Sequence, residues 1–250
     1  MSERLFLVTN DDGHNALGIQ VLGRLLDQIG EVVIVAPQTE QSACSHAITL
    51  HRPLRVNKVA PNCYAVDGTT TDCVLLASQA LLDRKPDAVF SGINHGPNLG
   101  DDVTYSGTVA GAFEGTLLGV RSMAISFGDK ERIEDERCRE ILLDLIHRLL
   151  SDPWPEDVLL NINVPPSGVL LRGIKMTKLG RRHYAESVVE KTDPRGKIYY
   201  WIGEVSPRWY GDEDSDFNAL AKGYISVTPL HLDLTHYPSL EAFKRFETML

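Results

Sequence analysis

The 250-residue sequence is short of positive charge: 25 Lys and Arg residues stand against 34 Asp and Glu residues, and the formal net charge is -9. Binding to a nucleic-acid backbone depends on clustered Lys and Arg. The one basic cluster, Arg181-Arg182-His183, is too short to form such a surface. The composition therefore argues against a nucleic-acid partner.

Cysteines and long apolar runs are also scarce. The four cysteines include no Cys-x-x-Cys pair of the kind that indicates a zinc site or a redox dithiol; they are Cys44, Cys63, Cys73 and Cys138. Reduced thiols are typical of the cytoplasm. No apolar run approaches membrane-spanning length, and the polar segment at residues 10–12 comes too early for a signal-peptide core. We expect a cytoplasmic protein with no membrane partner.

Two common phosphate-binding motifs are missing. The turn after the first apolar run carries acids where a G-x-G-x-x-G loop would hold a pyrophosphate, and Gly13 and Gly18 are not followed by the Lys-Ser/Thr of a P-loop. An acidic chain that binds phosphate needs another source of positive potential. A cation or a helix N-terminus would supply it.

The most informative segment is an apolar run, residues 5–8, that leads through Thr9 into Asn10-Asp11-Asp12-Gly13. Such a run predicts a strand buried on both faces, and parallel sheets bind ligands at the carboxyl ends of their strands. Two adjacent carboxylates repel each other there unless a cation or a shared proton intervenes. A hard divalent ion, Mg²⁺ or Mn²⁺, is the simplest relief. The alternative is that one Asp caps the next helix and the other faces solvent.

Strand-like and helix-like segments alternate over the first two thirds of the chain, which predicts a mainly parallel α/β sheet. Its length and its 43% hydrophobic residues suit one large core, and therefore a single domain over residues 1–250. The predicted strands are 5–9, 31–37, 86–92, 120–127, 158–164 and 223–228. The predicted helices are 21–29, 71–82, 106–118, 141–149 and 240–250.

The pattern changes after Pro165-Pro166. Residues 197–202 resemble a hairpin strand, and the charged stretch 211–214 resembles an exposed loop. Residues 167–216 are therefore predicted to be an extension that makes subunit contacts. An elaborated edge of the same sheet explains the pattern equally well.

Four segments are expected to converge at the carboxyl edge of the sheet, namely residues 10–13, 36–42, 92–98 and 105–108. Asp11, Asp12, the Ser42 hydroxyl and the Asn98 amide oxygen would form an all-oxygen shell that suits Mg²⁺ or Mn²⁺ better than zinc. Taken singly, Ser42 and Asn98 are more often turn or cap residues.

Ser106-Gly107-Thr108 opens a small-residue helix, and its two hydroxyls and free backbone amides would bind an anion. An ordinary N-cap is the competing interpretation. Three histidines are candidates for proton transfer: His46, His51 and His95. Lone histidines are usually structural, and of the three we favour His95.

Taken together, these segments resemble the SurE family of metal-dependent nucleotidases. The resemblance covers about residues 5–130, and residues 226–230 resemble the family more weakly. It rests on Asn10-Asp11-Asp12-Gly13, the Ala36-Pro37 to Gln41-Ser42 segment, Gly68-Thr69 with Thr71-Asp72-Cys73-Val74, residues 91–102 and residues 105–109. The sequence departs from the family pattern where Ala43 stands in place of a typical Gly and Thr70 in place of a typical Pro.

The resemblance implies a three-layer α/β/α, Rossmann-like sheet with a C-terminal β-hairpin extension. It also implies one divalent metal ion per subunit, held by Asp11, Asp12, Ser42 and Asn98. The catalytic residues would be Asp11, Asp12, Asn94 and Ser106. The substrate-binding residues would be Asn94, His95, Ser106, Gly107 and Thr108.

The implied activity is hydrolysis of nucleoside 5′- and 3′-monophosphates, with a side activity on short polyphosphate, in a homodimer or homotetramer. A phosphoaspartate enzyme of the haloacid dehalogenase type is disfavoured because its signature, Asp-x-Asp-x-Thr, separates the two acids that are adjacent here. The alternative from another class is a nucleotide-binding regulator that keeps the fold and has lost turnover.

Overall fold

The structure, a computed structural model, describes residues 4–183, 188–202 and 208–247. Its main feature is a nine-stranded sheet. In chain order the strands are β1 (Leu5–Thr9), β2 (Glu31–Pro37), β3 (Val56–Ala60), β4 (Cys63–Val66), β5 (Ala88–His95), β6 (Arg121–Phe127), β7 (Val158–Val164), β8 (Gly173–Met176), β9 (Arg181–His183), β10 (Val188–Thr192), β11 (Ile198–Ile202), β12 (Arg208–Tyr210) and β13 (Tyr224–His231).

The order of strands in this sheet is β3-β4-β2-β1-β5-β6-β7-β13-β8. The six strands from β4 to β7 run parallel, which confirms the predicted mainly parallel sheet. β3 and β13 are antiparallel to their neighbours β4 and β7. The carboxyl ends of β1, β2, β5 and β6 therefore lie at one edge, and the segments expected to converge follow β1, β2 and β5.

Helices cover both faces of the sheet. They are α1 (Leu17–Leu26), α2 (Thr70–Leu76), α3 (Gly107–Leu117), α4 (Lys130–Glu134), α5 (Glu136–Ser151), α6 (Asp216–Ala221) and α7 (Tyr237–Phe243). Alternate residues of β1 point to opposite faces, so Phe6 and Val8 pack in the core with α1 and α5, whereas Leu5 and Leu7 pack in the core with α2. This confirms the three-layer α/β/α arrangement that the family resemblance implies.

Local chemistry sets where two of these helices begin. At α2, the Thr69 side chain and the Asp72 side chain each accept a hydrogen bond from the other's backbone N–H and form a capping box. A wider helical turn, Ala77–Leu81, continues α2 to about its predicted end. At α3, Ser106 caps the helix, which was the competing interpretation of this residue, through a bond that its Oγ accepts from the Val109 N–H at 3.0 Å.

The chain beyond β7 divides into two parts. β8 pairs with β13 and forms the far edge of the main sheet. β10 and β11 form an exposed antiparallel hairpin, and β9 pairs with β12. The predicted segment 167–216 thus contributes both a sheet edge and a hairpin, with residues 184–187 and 203–207 outside the described part.

The C-terminal helix differs from its prediction at residues 240–250. It begins at Tyr237 and ends at Phe243, because Pro238 suits a first helical turn, and a short 3₁₀ turn follows at Lys244–Phe246. Residues 248–250 lie outside the described part. Among the helices described, none has the length and apolar character needed to cross a bilayer.

Candidate active site

Asp11 lies directly beyond β1 and is 5% exposed. One carboxylate oxygen, Oδ1, accepts a hydrogen bond from the Thr108 hydroxyl. A Cβ at Gly107 would stand 2.8 Å from the Asp11 Cβ, so only glycine lets the first turn of α3 approach this closely. Burial raises the pKa of Asp11 from 3.8 to about 6, the Thr108 bond opposes the rise, and the Asp12 charge adds to it.

Asp12 is half-buried beside Asp11. Its Oδ2 is buried without a hydrogen-bond partner among the described residues. The imidazole of His95 lies close to it, with Nδ1 3.9 Å from Oδ2. Burial raises the pKa of Asp12, whereas His95 works to lower it. A buried oxygen in this state is available for a ligand.

The turn below the two acids is held by its own hydrogen bonds. The Asn10 side-chain amide donates to the Gly13 carbonyl at 3.0 Å, and the Thr70 hydroxyl donates to the Asn10 carbonyl at 3.0 Å. Gly13 takes a left-handed conformation with φ of 97°. Thr70 therefore helps to fix the loop that carries the acids.

Ser42 lies on an exposed loop that reaches the acids through its neighbour. The Gln41 N–H donates to the Asp11 carbonyl at 2.7 Å. The Ser42 hydroxyl donates to Glu40 Oε1 at 2.7 Å, which leaves lone pairs on the Ser42 oxygen. Ala43 has φ of 57°, a left-handed conformation that glycine adopts at lower cost.

Asn98 is nearly buried and is held by polar residues of β6 and β7. Its side-chain Nδ2 donates to Ser126 Oγ at 2.8 Å, which directs the other end of the amide, the oxygen, away from Ser126. Its backbone N–H donates to Asn163 Oδ1 at 2.8 Å, and its carbonyl accepts from Asn161 and Asn163.

The roles of these three supporting residues were not predicted from the sequence. A signal was present, because Asn161 and Asn163 interrupt an otherwise apolar strand and both are fully buried. Ser126 lies next to the end of β6 in the same way. Buried side-chain amides need hydrogen-bond partners. Polar residues in such a strand therefore indicate that they bind a polar group of a neighbouring segment.

Asn94 and His95 end strand β5. The Asn94 side chain donates to the Gly96 carbonyl at 2.8 Å and so shapes the loop that follows. The end of this strand lies against α1, where a Cβ at Gly18 would stand 1.9 Å from the Ile93 carbonyl oxygen. His95 reaches Asp12 as described above, and its Nε2 is buried without a hydrogen-bond partner among the described residues.

Ser106 and Thr108 differ in what they offer an anion. Ser106 Oγ accepts from the backbone of α3 and keeps its own O–H as a donor. Thr108 is fully buried, and its O–H donates a hydrogen bond to Asp11. We expected Thr108 to face a phosphoryl group, but in this structure it holds the Asp11 carboxylate instead.

The structure thus joins Asp11 directly to Thr108 and Gly107, and it brings Asp12 near His95. Ser42 is connected through Gln41, and Asn98 is fixed by the two neighbouring strands. In the described part of the chain no three His, Cys, Asp or Glu residues gather as a metal cluster. The expected ligand set, which stays a prediction, has only two carboxylates and would complete its shell with hydroxyl and amide oxygens.

The fold and the site define an α/β protein with an acidic, oxygen-rich centre at the carboxyl edge of its parallel sheet, facing the N-terminus of α3. The family model described as "Survival protein SurE" matches residues 6–186. The chain belongs to the SurE family.

Named relatives match nearly the whole chain. A protein of Gemmatimonas aurantiaca named 5′-nucleotidase SurE is 51% identical over 235 residues, which are 92% of this chain and 93% of the relative. A Geotalea uraniireducens protein of the same name is 48% identical over 243 residues, 96% and 98% of the two chains. The crystal structure of the SurE protein from Aquifex aeolicus is 43% identical, has a TM-score of 0.85, and aligns over 98% of this chain and 100% of that one.

Proposed function

We propose that this protein is a metal-dependent phosphomonoesterase that hydrolyses nucleoside 5′- and 3′-monophosphates to a nucleoside and phosphate. The observation that carries the proposal is the pair of adjacent acids, in which Asp11 packs against the first turn of α3 and Asp12 keeps a buried, unpartnered oxygen within the described residues. Relatives that are named 5′-nucleotidase SurE and are 51% and 48% identical in sequence to this chain support the substrate class.

The residues present fit a hard divalent cation, Mg²⁺ or Mn²⁺. Asp12 Oδ2 is buried and unpartnered within the described residues, and the raised pKa of Asp11 reflects a carboxylate whose charge is poorly compensated. Asp11, Asp12, Ser42 and Asn98 would hold the ion through oxygen atoms. The bound ion would neutralise charge on the phosphoryl oxygens and acidify a water molecule.

The protein groups around that site would bind and orient the phosphate. The Ser106 O–H is free to donate to a phosphoryl oxygen, and backbone amides at the start of α3 add further donors. Asn94 shapes the adjoining loop. Asp12 would orient the attacking water and take its proton, with His95 close enough to influence that carboxylate.

The test is phosphate release from AMP and from 3′-AMP by the purified protein with Mn²⁺, with Mg²⁺ and with EDTA. We expect release that requires a metal and disappears in Asp12→Asn. A matched control is Asp144→Asn, which removes an exposed carboxylate on α5. Metal-independent release, or full activity in Asp12→Asn, would contradict the proposal. Binding of AMP without any release would favour the silent nucleotide-binding regulator.

Activity on short polyphosphate is part of the same proposal, because a chain end presents a phosphoryl group like that of a nucleotide. Phosphate release from tripolyphosphate under the same conditions tests it. The cytoplasmic location is likewise proposed. It is supported by four cysteines that are all unpaired in the structure.

We also propose a homodimer or homotetramer that uses the β10–β11 hairpin as an interface. Both strands are exposed throughout, and they carry large apolar side chains, with Ile202 86% exposed and Trp201 and Tyr200 each 61% exposed. Exposed aromatic patches of this kind are typical of interaction surfaces. Light scattering on the full-length protein tests the proposal.

A further inference from the structure

A groove of about 280 Å³ opens beside Ser106 and continues along α3. Its floor follows the helix from Ser106 through Ala110 and Phe113 to Leu117, positions that lie on one helical face. The opposite wall includes His46 and Leu232. His46 belongs to the loop that carries Ser42, called the Ser42 loop below, and Leu232 to the segment after β13. The groove is thus polar where it meets the candidate phosphate site and mainly apolar beyond it.

His46 has a fixed position on this wall. Its Nε2 lies 2.9 Å from Glu114 Oε2, and Glu114 is 9% exposed. This hydrogen bond joins His46 to helix α3. The imidazole also lies near the Phe113 ring, with 6.1 Å between ring centroids and 35° between ring planes. Two ring systems therefore border the groove.

We propose that this groove binds the nucleobase of the substrate, an inference that rests on the proposed function. A phosphate held at Ser106 would place the rest of the nucleotide along α3. Phe113 lies seven positions after Ser106, roughly 10 Å along the helix at ~1.5 Å per residue, which is comparable with the reach of a nucleotide from phosphate to base. The groove volume, about 280 Å³, lies just below the usual range of ligand sites, about 300–1,000 Å³, and suits a ligand as small as a nucleoside.

The side chains suit an aromatic ring system with polar edges. Aromatic rings stack favourably on bases. The imidazole adds a polar atom at the groove wall, and Leu117 and Leu232 supply apolar contact. The competing occupant is an apolar segment of a second copy of this chain, since Leu234 at the groove rim is 92% exposed.

The test compares AMP with ribose 5-phosphate, which has the same phosphoester but no base. His46→Ala and Leu117→Ser are the groove variants. His147→Ala and Leu170→Ser are their matched controls, because both residues are exposed and lie outside the groove. We expect kcat/KM for AMP to fall about tenfold in the groove variants. For ribose 5-phosphate we expect it to stay within about twofold, and both controls to behave like the unmodified protein.

Calorimetry with adenosine provides a readout that does not depend on turnover. Adenosine should bind the unmodified protein and bind His46→Ala about tenfold more weakly. If the unmodified protein hydrolyses neither ester, the proposed function fails. Adenosine binding then tests by itself whether the groove binds a nucleobase.

Three results would overturn the inference. The first is an equal fall for AMP and ribose 5-phosphate, which would make His46 a support of the Ser42 loop alone. The second is a groove variant that keeps both the preference for AMP over ribose 5-phosphate and the adenosine affinity of the unmodified protein. The third is a smaller assembly in Leu117→Ser by light scattering with the AMP preference intact, which would assign the groove to a second copy of the chain.

Discussion

Replacing Asp11 by Asn should stabilise the metal-free protein while removing its activity. The pKa of Asp11 rises from 3.8 to about 6 on folding, chiefly because the carboxylate is buried. At about 1.4 kcal/mol per pKa unit, the ionised side chain costs about 3 kcal/mol of folding stability. Asn carries no charge but presents an NH₂ group where a carboxylate oxygen lay, so we expect a gain of about 1–3 kcal/mol.

The gain should depend on pH in a defined direction. A raised folded-state pKa contributes stability below the unfolded value, 3.8, and that contribution is lost as the pH rises through about 6. Above about pH 7 the ionised Asp11 therefore lowers the folding stability of the unmodified protein by the full amount. In that pH range the Asn variant should be the more stable of the two. Near pH 4 most of the difference should vanish.

Urea unfolding in EDTA at about pH 4 and about pH 8 measures this difference. Asp144→Asn is the control, since its carboxylate is exposed, and it should show little change at either pH. Added Mn²⁺ should stabilise the unmodified protein, by about 2.7 kcal/mol at a hundredfold excess over Kd, and should leave Asp11→Asn nearly unchanged. An equal gain at both pH values, or a loss at pH 8, would refute the argument that Asp11 is an uncompensated buried charge.

Four further outcomes are expected. Asn163→Ala removes the partner of the Asn98 N–H and should lower Mn²⁺ affinity about tenfold by calorimetry, with a stability loss of about 1–3 kcal/mol. Ser106→Ala should reduce kcat/KM for AMP about tenfold or more, through loss of a donor to a charged group, and leave Mn²⁺ affinity unchanged. Ala43→Gly should raise the unfolding free energy by about 0.5–1 kcal/mol, because φ is 57° there. Replacing residues 188–202 by a short Gly-Ser linker should yield a smaller assembly by light scattering, and an unchanged size would contradict the interface proposal.

Much of the central sheet could be predicted from sequence because its strands are continuous apolar runs. β1, β2 and β7 begin and end where the apolar pattern does. The β3–β4 hairpin was not predicted, since four of the five residues of β3 are exposed and carry no apolar alternation. β8 was missed for the same reason, as three of its four residues are exposed. Strands at a sheet edge leave a weak sequence pattern.

The acidic pair could be predicted because its residues are adjacent in the chain. The role of Thr108 could not. Whether its hydroxyl faces a ligand or Asp11 depends on how closely α3 approaches β1, and that distance is set by the missing side chain of Gly107. The fixing of Asn98 by β6 and β7 likewise depends on contacts between residues that are far apart in sequence, 28 residues for Ser126 on β6 and more than 60 for Asn161 and Asn163 on β7.

The loop that carries Ser42 connects the candidate metal site to the proposed base groove. Its first end is tied to Asp11 through the Gln41 N–H, and four residues after Ser42 the loop is tied to α3 through His46 and Glu114. Ala43, in its left-handed conformation, lies between these two ties. A change in the loop backbone would therefore be transmitted to both sites. Ala43→Gly should consequently alter the ratio of kcat/KM for AMP to that for ribose 5-phosphate, and an unaltered ratio would show that the two ties act independently.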